Sequence, residues 1–269
     1  MSSHPLQPVG LKSQTANFQA LPPLSLYIHI PWCVRKCPYC DFNSHEARGR
    51  LPEKEYVAAL VHDIELALPQ IWGRKVYTVF FGGGTPSLLS GEAVAEILRQ
   101  VRMLLPLDLN AEITLEANPG TVEADKFALF REAGVNRLSL GIQSFSDAHL
   151  RALGRIHSAD EAKRAIEIAQ RHFDNINLDL MYALPQQTLE QALQDIQTAL
   201  QFKPQHLSCY HLTLEPNTLF AHQPPQVPDD DASSEMQQRI EELLAVHGYE
   251  HYETSAFAQP KKRSRHNLN

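Results

Sequence analysis

Leu24-Ser25-Leu26-Tyr27-Ile28-His29-Ile30, running into Pro31-Trp32-Cys33-Val34-Arg35-Lys36-Cys37-Pro38-Tyr39-Cys40, is the stretch that decides the fold. The first seven residues are an apolar run of strand length, with the residue types that suit a pleated surface. Pro31 ends the run, and three thiols then follow within eight residues in a CxxxCxxC spacing. A strand that opens directly into a ligand-bearing loop is the arrangement of an α/β fold with its site at the strands' carboxyl ends. Three thiolates this close favour a soft metal centre, and three instead of four leave one coordination position for something other than protein. An iron–sulfur cube with one unligated iron fits that count better than a closed zinc site, for which only the distant Cys209 is left as a fourth thiolate.

Outward from this stretch, short apolar runs alternate with amphipathic ones. Strands are expected at 24–30, 76–81, 111–117, 136–142, 175–181 and 206–212. Several are almost continuously apolar, as when both sheet faces are covered. Between them, Tyr56, Leu60, Val61, Ile64 and Leu68 share one helical face, and Val94, Ile97, Leu98, Val101 and Leu105 share another. Leu189, Leu193, Ile196 and Leu200 form a third stripe. Six strand–helix units imply a parallel sheet, because parallel neighbours need crossover connections. The expected architecture is a (β/α)6-type partial TIM barrel over residues 24–257, with a doubly wound open sheet as second choice. Residues 1–23 read as a flexible leader with no signal-peptide core, and 258–269 as a basic tail.

The chain has 269 residues, 43% of them hydrophobic, enough for one sizeable core. A formal charge of −7 argues against a nucleic-acid binder working through a broad basic surface. Four cysteines, three of them clustered, point to metal binding in a reducing compartment and a cytoplasmic protein. No apolar run approaches the length of a membrane span. Residues 214–231, with four prolines, read as a long irregular connection. Asp229, Asp230 and Asp231 precede a helix expected at about 232–247 and are read as capping residues in preference to cation ligands.

Gly82-Gly83-Gly84-Thr85-Pro86 follows the second strand directly and lets backbone approach a ligand closely. The spacing is neither GxGxxG nor a P-loop, so phosphate binding is weakly supported, and a plain tight turn is the alternative. Glu112, Thr114 and Glu116 alternate on one strand, and Asn177 and Asp179 on another, so each set faces the lumen if its apolar neighbours face the helices. Buried carboxylates need partners, with a salt bridge to Arg137 or Arg155 as the bland alternative to a ligand. His29 and His157 read as polar core residues without a ligand role.

The triplet and the glycine turn resemble the radical S-adenosylmethionine superfamily. That resemblance implies a [4Fe–4S] cluster held by three cysteines, with S-adenosylmethionine on the fourth iron. It extends in order through Tyr27 to Pro31, Glu116-Ala117-Asn118-Pro119, Gly141-Ile142-Gln143-Ser144-Phe145 and Asn177 to Pro185. Together these resemble the family of oxygen-independent coproporphyrinogen III oxidase and its heme-chaperone relatives. The resemblance implies cluster ligands at Cys33, Cys37 and Cys40. It implies S-adenosylmethionine contacts at Tyr27, Tyr39, Gly83, Gly84, Thr85, Glu116, Gln143, Arg155 and Asp179.

Oxidase members of that family carry a further cysteine two positions after the triplet, where this chain has Phe42. Cys40-Asp41-Phe42-Asn43-Ser44 resembles instead the heme-chaperone branch, which implies heme as bound cargo and acceptor proteins as partners. His266-Asn267 begins that branch's His-Asn-x-x-Tyr motif, so the tail is expected to open a truncated C-terminal domain. His266 is a candidate axial ligand, since imidazole suits iron, but in this basic tail it is expected to be mobile and solvated.

Overall fold

The computed structural model describes residues 21–71, 73–121 and 124–268; residues 1–20 of the expected leader lie outside them. In chain order the strands are β1 (Leu24–Ile30), β2 (Trp32–Cys33), β3 (His45–Glu46), β4 (Val76–Gly83), β5 (Leu107–Ala117), β6 (Arg137–Gln143), β7 (Ile176–Tyr182), β8 (His206–His211), β9 (Glu250–Glu253) and β10 (Ala256–Ala258). The helices are α1 (Glu53–Ile71), α2 (Gly91–Leu104), α3 (Ala124–Ala133), α4 (Asp147–Ala152), α5 (Ala159–His172), α6 (Leu189–Gln201), α7 (Leu219–His222), α8 (Asp230–Val246) and α9 (Arg265–Leu268).

One sheet carries eight strands in the order β1-β4-β5-β6-β7-β8-β10-β9. The first six are parallel neighbours in chain order, so no strand order reverses as a doubly wound sheet requires. The sheet curls into a partial barrel, and the antiparallel β10 and β9 extend it past β8. Outward-facing Val79, Phe81, Ile113, Leu115, Leu138, Leu140, Leu178, Leu180 and Leu207 are buried beneath the helices. Two helices of that layer start with reciprocal capping boxes, Ser158 with Glu161 on α5 and Thr188 with Gln191 on α6. Asp229 caps α8, its side chain accepting from the Ala232 amide at 2.9 Å, so the capping reading of the aspartates holds.

The alternate residues face inward and hydrogen-bond to one another. Ser139 Oγ donates to Asp179 at 2.9 Å, and Asn177 Nδ2 to Asp179 at 2.7 Å. His206 Nδ1 meets Asn177 Oδ1 at 2.6 Å, and its Nε2 meets the Tyr252 hydroxyl at 2.7 Å. The period of two thus sorts apolar residues to the helices and polar ones to the lumen.

The tail departs from expectation. Glu112 Oε1 accepts from the amides of Arg265 at 2.9 Å and His266 at 3.2 Å, a carboxylate on the exposed donors of a helix start. His266 Nδ1 meets Thr78 Oγ1 at 2.9 Å, and its ring packs 5.0 Å from Phe80. His266 is therefore held against the lumen wall, not solvated, because backbone capping and ring packing act together. Its position is far from the glycine turn: Thr78 precedes Gly83 by five residues on β4, roughly 16 Å of strand.

Candidate functional site

A cavity of about 370 Å3 opens where the parallel strands end. Its lining includes Cys33, Cys37 and Cys40, the glycine turn from Gly83 to Pro86, and the carboxylates of Glu116 and Asp179. Eight of the nine expected cofactor contacts also line it: Tyr39, Gly83, Gly84, Thr85, Glu116, Gln143, Arg155 and Asp179. The ninth, Tyr27, does not; it lies lower on β1, half exposed, with its hydroxyl 3.0 Å from His29 Nδ1.

The cysteine loop is shaped by its own backbone. β2 pairs with β3, the His45 amide donates to Pro31 O at 2.7 Å, and the Ala47 amide to Cys33 O at 2.8 Å. Lys36 Nζ ties the loop inward, donating to the carbonyls of Phe42 at 2.9 Å and Ser44 at 3.2 Å. The Cys40 amide closes a turn on Cys37 O at 3.1 Å. Behind the loop, the Phe220 amide donates to Pro38 O at 3.0 Å, so the proline-rich connection contains a short helix, α7, that buttresses the site. Tyr39 leans on Phe220, centroids 6.3 Å apart, and burial pushes its hydroxyl's pKa up.

The glycine turn lies under this loop. The amide of Gly84 donates to Ile30 O, and that of Thr85 to Trp32 O, each at 2.7 Å. Gly83 has φ +110°, and a Cβ there would sit 2.6 Å from the His29 ring. A Cβ on Gly84 would meet Trp32 O at 2.5 Å. No other residue allows so close a crossing of two backbones.

Glu116 and Asp179 stand side by side in the cavity wall. Burial pushes the Glu116 carboxyl up to about 8, with Asp179's charge adding and the Gly83 amide opposing. Asp179 is raised by burial as well, against the bonds from Ser139 and Asn177. Among the described residues no ion pair joins either carboxylate to Arg137 or Arg155, so the salt-bridge alternative fails; Arg137 acts on both only through space. Arg155 instead spans the cavity. Its Nη1 approaches Cys37 Sγ at 3.6 Å, and its Nη2 donates to Gly141 O at 2.9 Å and to Asn118 Oδ1.

Cavity residues without an expected role include Asn118, Met181, Tyr210 and Phe42. Asn118 donates to Thr85 Oγ1 at 3.0 Å, and its position two residues after Glu116 was the signal for it. Tyr210 continues the inward series of His206 and Ser208 on β8. Of the histidines without an assigned role, His29 is satisfied at both nitrogens by Tyr27 and the Asn43 carbonyl. His157 is buried with only Nε2 bonded, to Ile142 O at 3.2 Å, and desolvation lowers its pKa to about 4.

Among the described residues, no three His, Cys, Asp or Glu side chains draw together as a single ion would need. Zinc at about 2.3 Å from each sulfur demands such convergence. Cys209 is buried on the outer face of β8 with the helix-side core, away from the cavity. Three thiols spread over a cavity mouth, glycine backbone below and carboxylates in the wall fit a cluster with a cationic amino-acid cofactor.

A model of the Radical SAM superfamily matches residues 27–199, and the chain belongs to that superfamily. Membership implies a [4Fe–4S] cluster and S-adenosylmethionine. Among individual proteins, the chain is similar to heme chaperone HemW of Escherichia coli (strain K12), 56% identical over 250 residues, covering 93% of this chain and 66% of that protein. Heme chaperone HemW of Haemophilus influenzae is 51% identical over 254 residues, with the same coverage of 93% and 66%. The chain thus spans just under two thirds of the length of these curated relatives. Among solved structures, the radical SAM enzyme coproporphyrinogen III oxidase (HemN) from Escherichia coli superposes with a TM-score of 0.81 at 29% identity, over 89% of this chain and 56% of that one. Among the described residues no helix is long and apolar enough to cross a membrane.

Proposed function

We propose that this chain is the barrel of a heme chaperone that binds heme and passes it to acceptor proteins. Cys33, Cys37 and Cys40 ligate the [4Fe–4S] cluster, and S-adenosylmethionine lies between the glycine turn and the carboxylates. When bound, these groups supply one-electron reduction of a sulfonium. Gly83, Gly84 and Thr85 present backbone to the amino-acid end. Glu116 and Asp179 take amino and ribose groups, Tyr39 offers its ring to the adenine, and Gln143 and Arg155 close the wall. Tyr27 acts from below, through the His29 ring that packs against Gly83. A cluster held on three thiolates fits a protein of a reducing compartment such as the cytoplasm.

The observation that carries the chaperone reading is Phe42. It lines the cavity mouth and is 59% exposed, an uncovered aromatic face where the oxidase pattern has a thiol. Exposed aromatic surface at a pocket mouth fits a flat apolar cargo. Similarity to proteins named heme chaperones over most of the chain supports the same reading.

Titration of the reconstituted protein with hemin tests it, in parallel with an anaerobic assay containing coproporphyrinogen, reductant and S-adenosylmethionine. Stoichiometric hemin binding without protoporphyrinogen formation is expected. Turnover of coproporphyrinogen would replace the chaperone reading with the oxidase one.

A further inference from the structure

Gln143 reaches the cavity from an unusual backbone. Its φ is +68°, where a residue with a side chain is strained, and the register between β6 and β7 slips at this point. The next residues turn away from the sheet, the Ser144 amide folding back on Ile142 O at 2.9 Å. What holds this conformation is a side chain from a different element. Asp195, mid-helix on α6, accepts from Ser144 Oγ at 2.6 Å and from the Phe145 amide at 2.8 Å. Ser144 Oγ in turn accepts from the Ser146 amide at 3.0 Å. Asp195 is 5% exposed and Ser144 fully buried, so water does not substitute for these bonds. Aspartate is a poor helix-interior residue, and a buried one is costly, so its place in α6 needs a return outside the helix.

We infer that Asp195 is a positioning residue for cofactor binding: from outside the cavity it clamps the turn after β6 and thereby holds Gln143 in the wall. The turn's position matters to more than one residue. A Cβ on Gly141 would lie 3.1 Å from Gln143 Nε2 and 2.8 Å from Asn118 Oδ1, so the Gln143 amide packs directly over the backbone that Arg155 also grips. Release of the turn therefore loosens Gln143, and the cysteine loop, held by other contacts, stays. The inference rests on the S-adenosylmethionine reading of the cavity.

The test compares D195A, D195N and S144A in the reconstituted chain. Three things are measured: S-adenosylmethionine affinity by equilibrium dialysis, iron and sulfide content, and hydrogen exchange at the Phe145 amide. Asparagine can accept from Phe145 and donate to Ser144, so D195N stays within about threefold of the unsubstituted affinity. D195A loses at least about tenfold, as expected for a lost charge-assisted bond, with cluster content unchanged and faster exchange at Phe145. S144A, which deletes a single hydroxyl, lies between them and decides the matter should D195A not fold. Unsubstituted affinity in D195A or S144A overturns the inference, as does an affinity loss matched by cluster loss, which would mark a general structural role. An unsubstituted chain that binds its cluster and no S-adenosylmethionine would instead overturn the reading of the cavity, and this inference with it.

Discussion

Glu116 on β5 and Asp179 on β7 flank Ser139, which is paired in register with Glu116 and donates its hydroxyl to Asp179 at 2.9 Å. Asp179 itself pairs with Gly141, one inward position beyond Ser139, so the two carboxylates lie on neighbouring levels of the lumen and are linked through one small residue. Like charges so placed resist joint ionisation. With its carboxyl pushed up to about 8, Glu116 is mostly protonated at pH 7. A cationic ligand favours the carboxylate, so binding expels a proton. Affinity for S-adenosylmethionine should rise with pH, by at most about tenfold per unit for one proton, and level off above about 8. Calorimetry in buffers of different ionisation enthalpy should register that proton. E116Q should bind more weakly and show a flattened pH profile.

The glycine turn gives a steric prediction. G84A drives a Cβ to 2.5 Å from Trp32 O, a backbone atom that cannot rotate aside. G73A is the control: nothing lies within 4 Å of its added Cβ, although its φ of +67° is also unfavourable to alanine. Thermal unfolding should show only a small loss for G73A, about 1 kcal/mol. G84A should lower the midpoint further and also reduce iron uptake, because the same contact seats the cysteine loop.

Arg155 is predicted to set the cluster's redox potential. Its guanidinium approaches Cys37 Sγ at 3.6 Å and is fixed by Gly141 O and Asn118. Hydrogen bonds to cluster sulfur and nearby positive charge favour the reduced, more negative state. R155A should move the midpoint to more negative values, on the order of 60 mV for about 1.4 kcal/mol. R155K keeps the charge, loses the fork, and should fall between. Redox titration followed by electron paramagnetic resonance reads both.

Much of this arrangement could be read from the sequence because the six parallel strands obey a period of two against a helical period near 3.6. The expected 24–30 strand matches β1 residue for residue, and 136–142 and 175–181 miss β6 and β7 by one position at each end. The stripe from Val94 to Leu105 is buried throughout. β9 and β10 escaped notice because Glu250-His251-Tyr252-Glu253 has no buried face and Ala256-Phe257-Ala258 is too short to show alternation. The cavity's Gly, Cys and carboxylate residues declared themselves by local pattern. The depth of Tyr27 along β1 and the clamp from Asp195 did not, since position along a strand and contacts across 50 residues leave no local trace. His266 was misplaced for the same reason: its anchor, Glu112, is 154 residues away.

That anchor yields its own prediction. E112A removes the acceptor for the Arg265 and His266 amides. Hydrogen exchange at those two amides should accelerate, by at least about tenfold for bonds to a charged acceptor. Exchange in β1 and β6 should stay unchanged, since the tail bonds to β4 and β5 and not to the backbone of those two strands.

The central claim is that three cysteines hold an iron–sulfur cube with a corner open to S-adenosylmethionine. Electron paramagnetic resonance of the anaerobically reconstituted, reduced chain, with and without S-adenosylmethionine, tests it most directly. The account predicts about four irons and four sulfides per chain, lost in C33A, C37A and C40A, and a signal whose g-values shift when S-adenosylmethionine is added. A chain that takes up one zinc and no sulfide, or a cluster signal indifferent to S-adenosylmethionine, would contradict it.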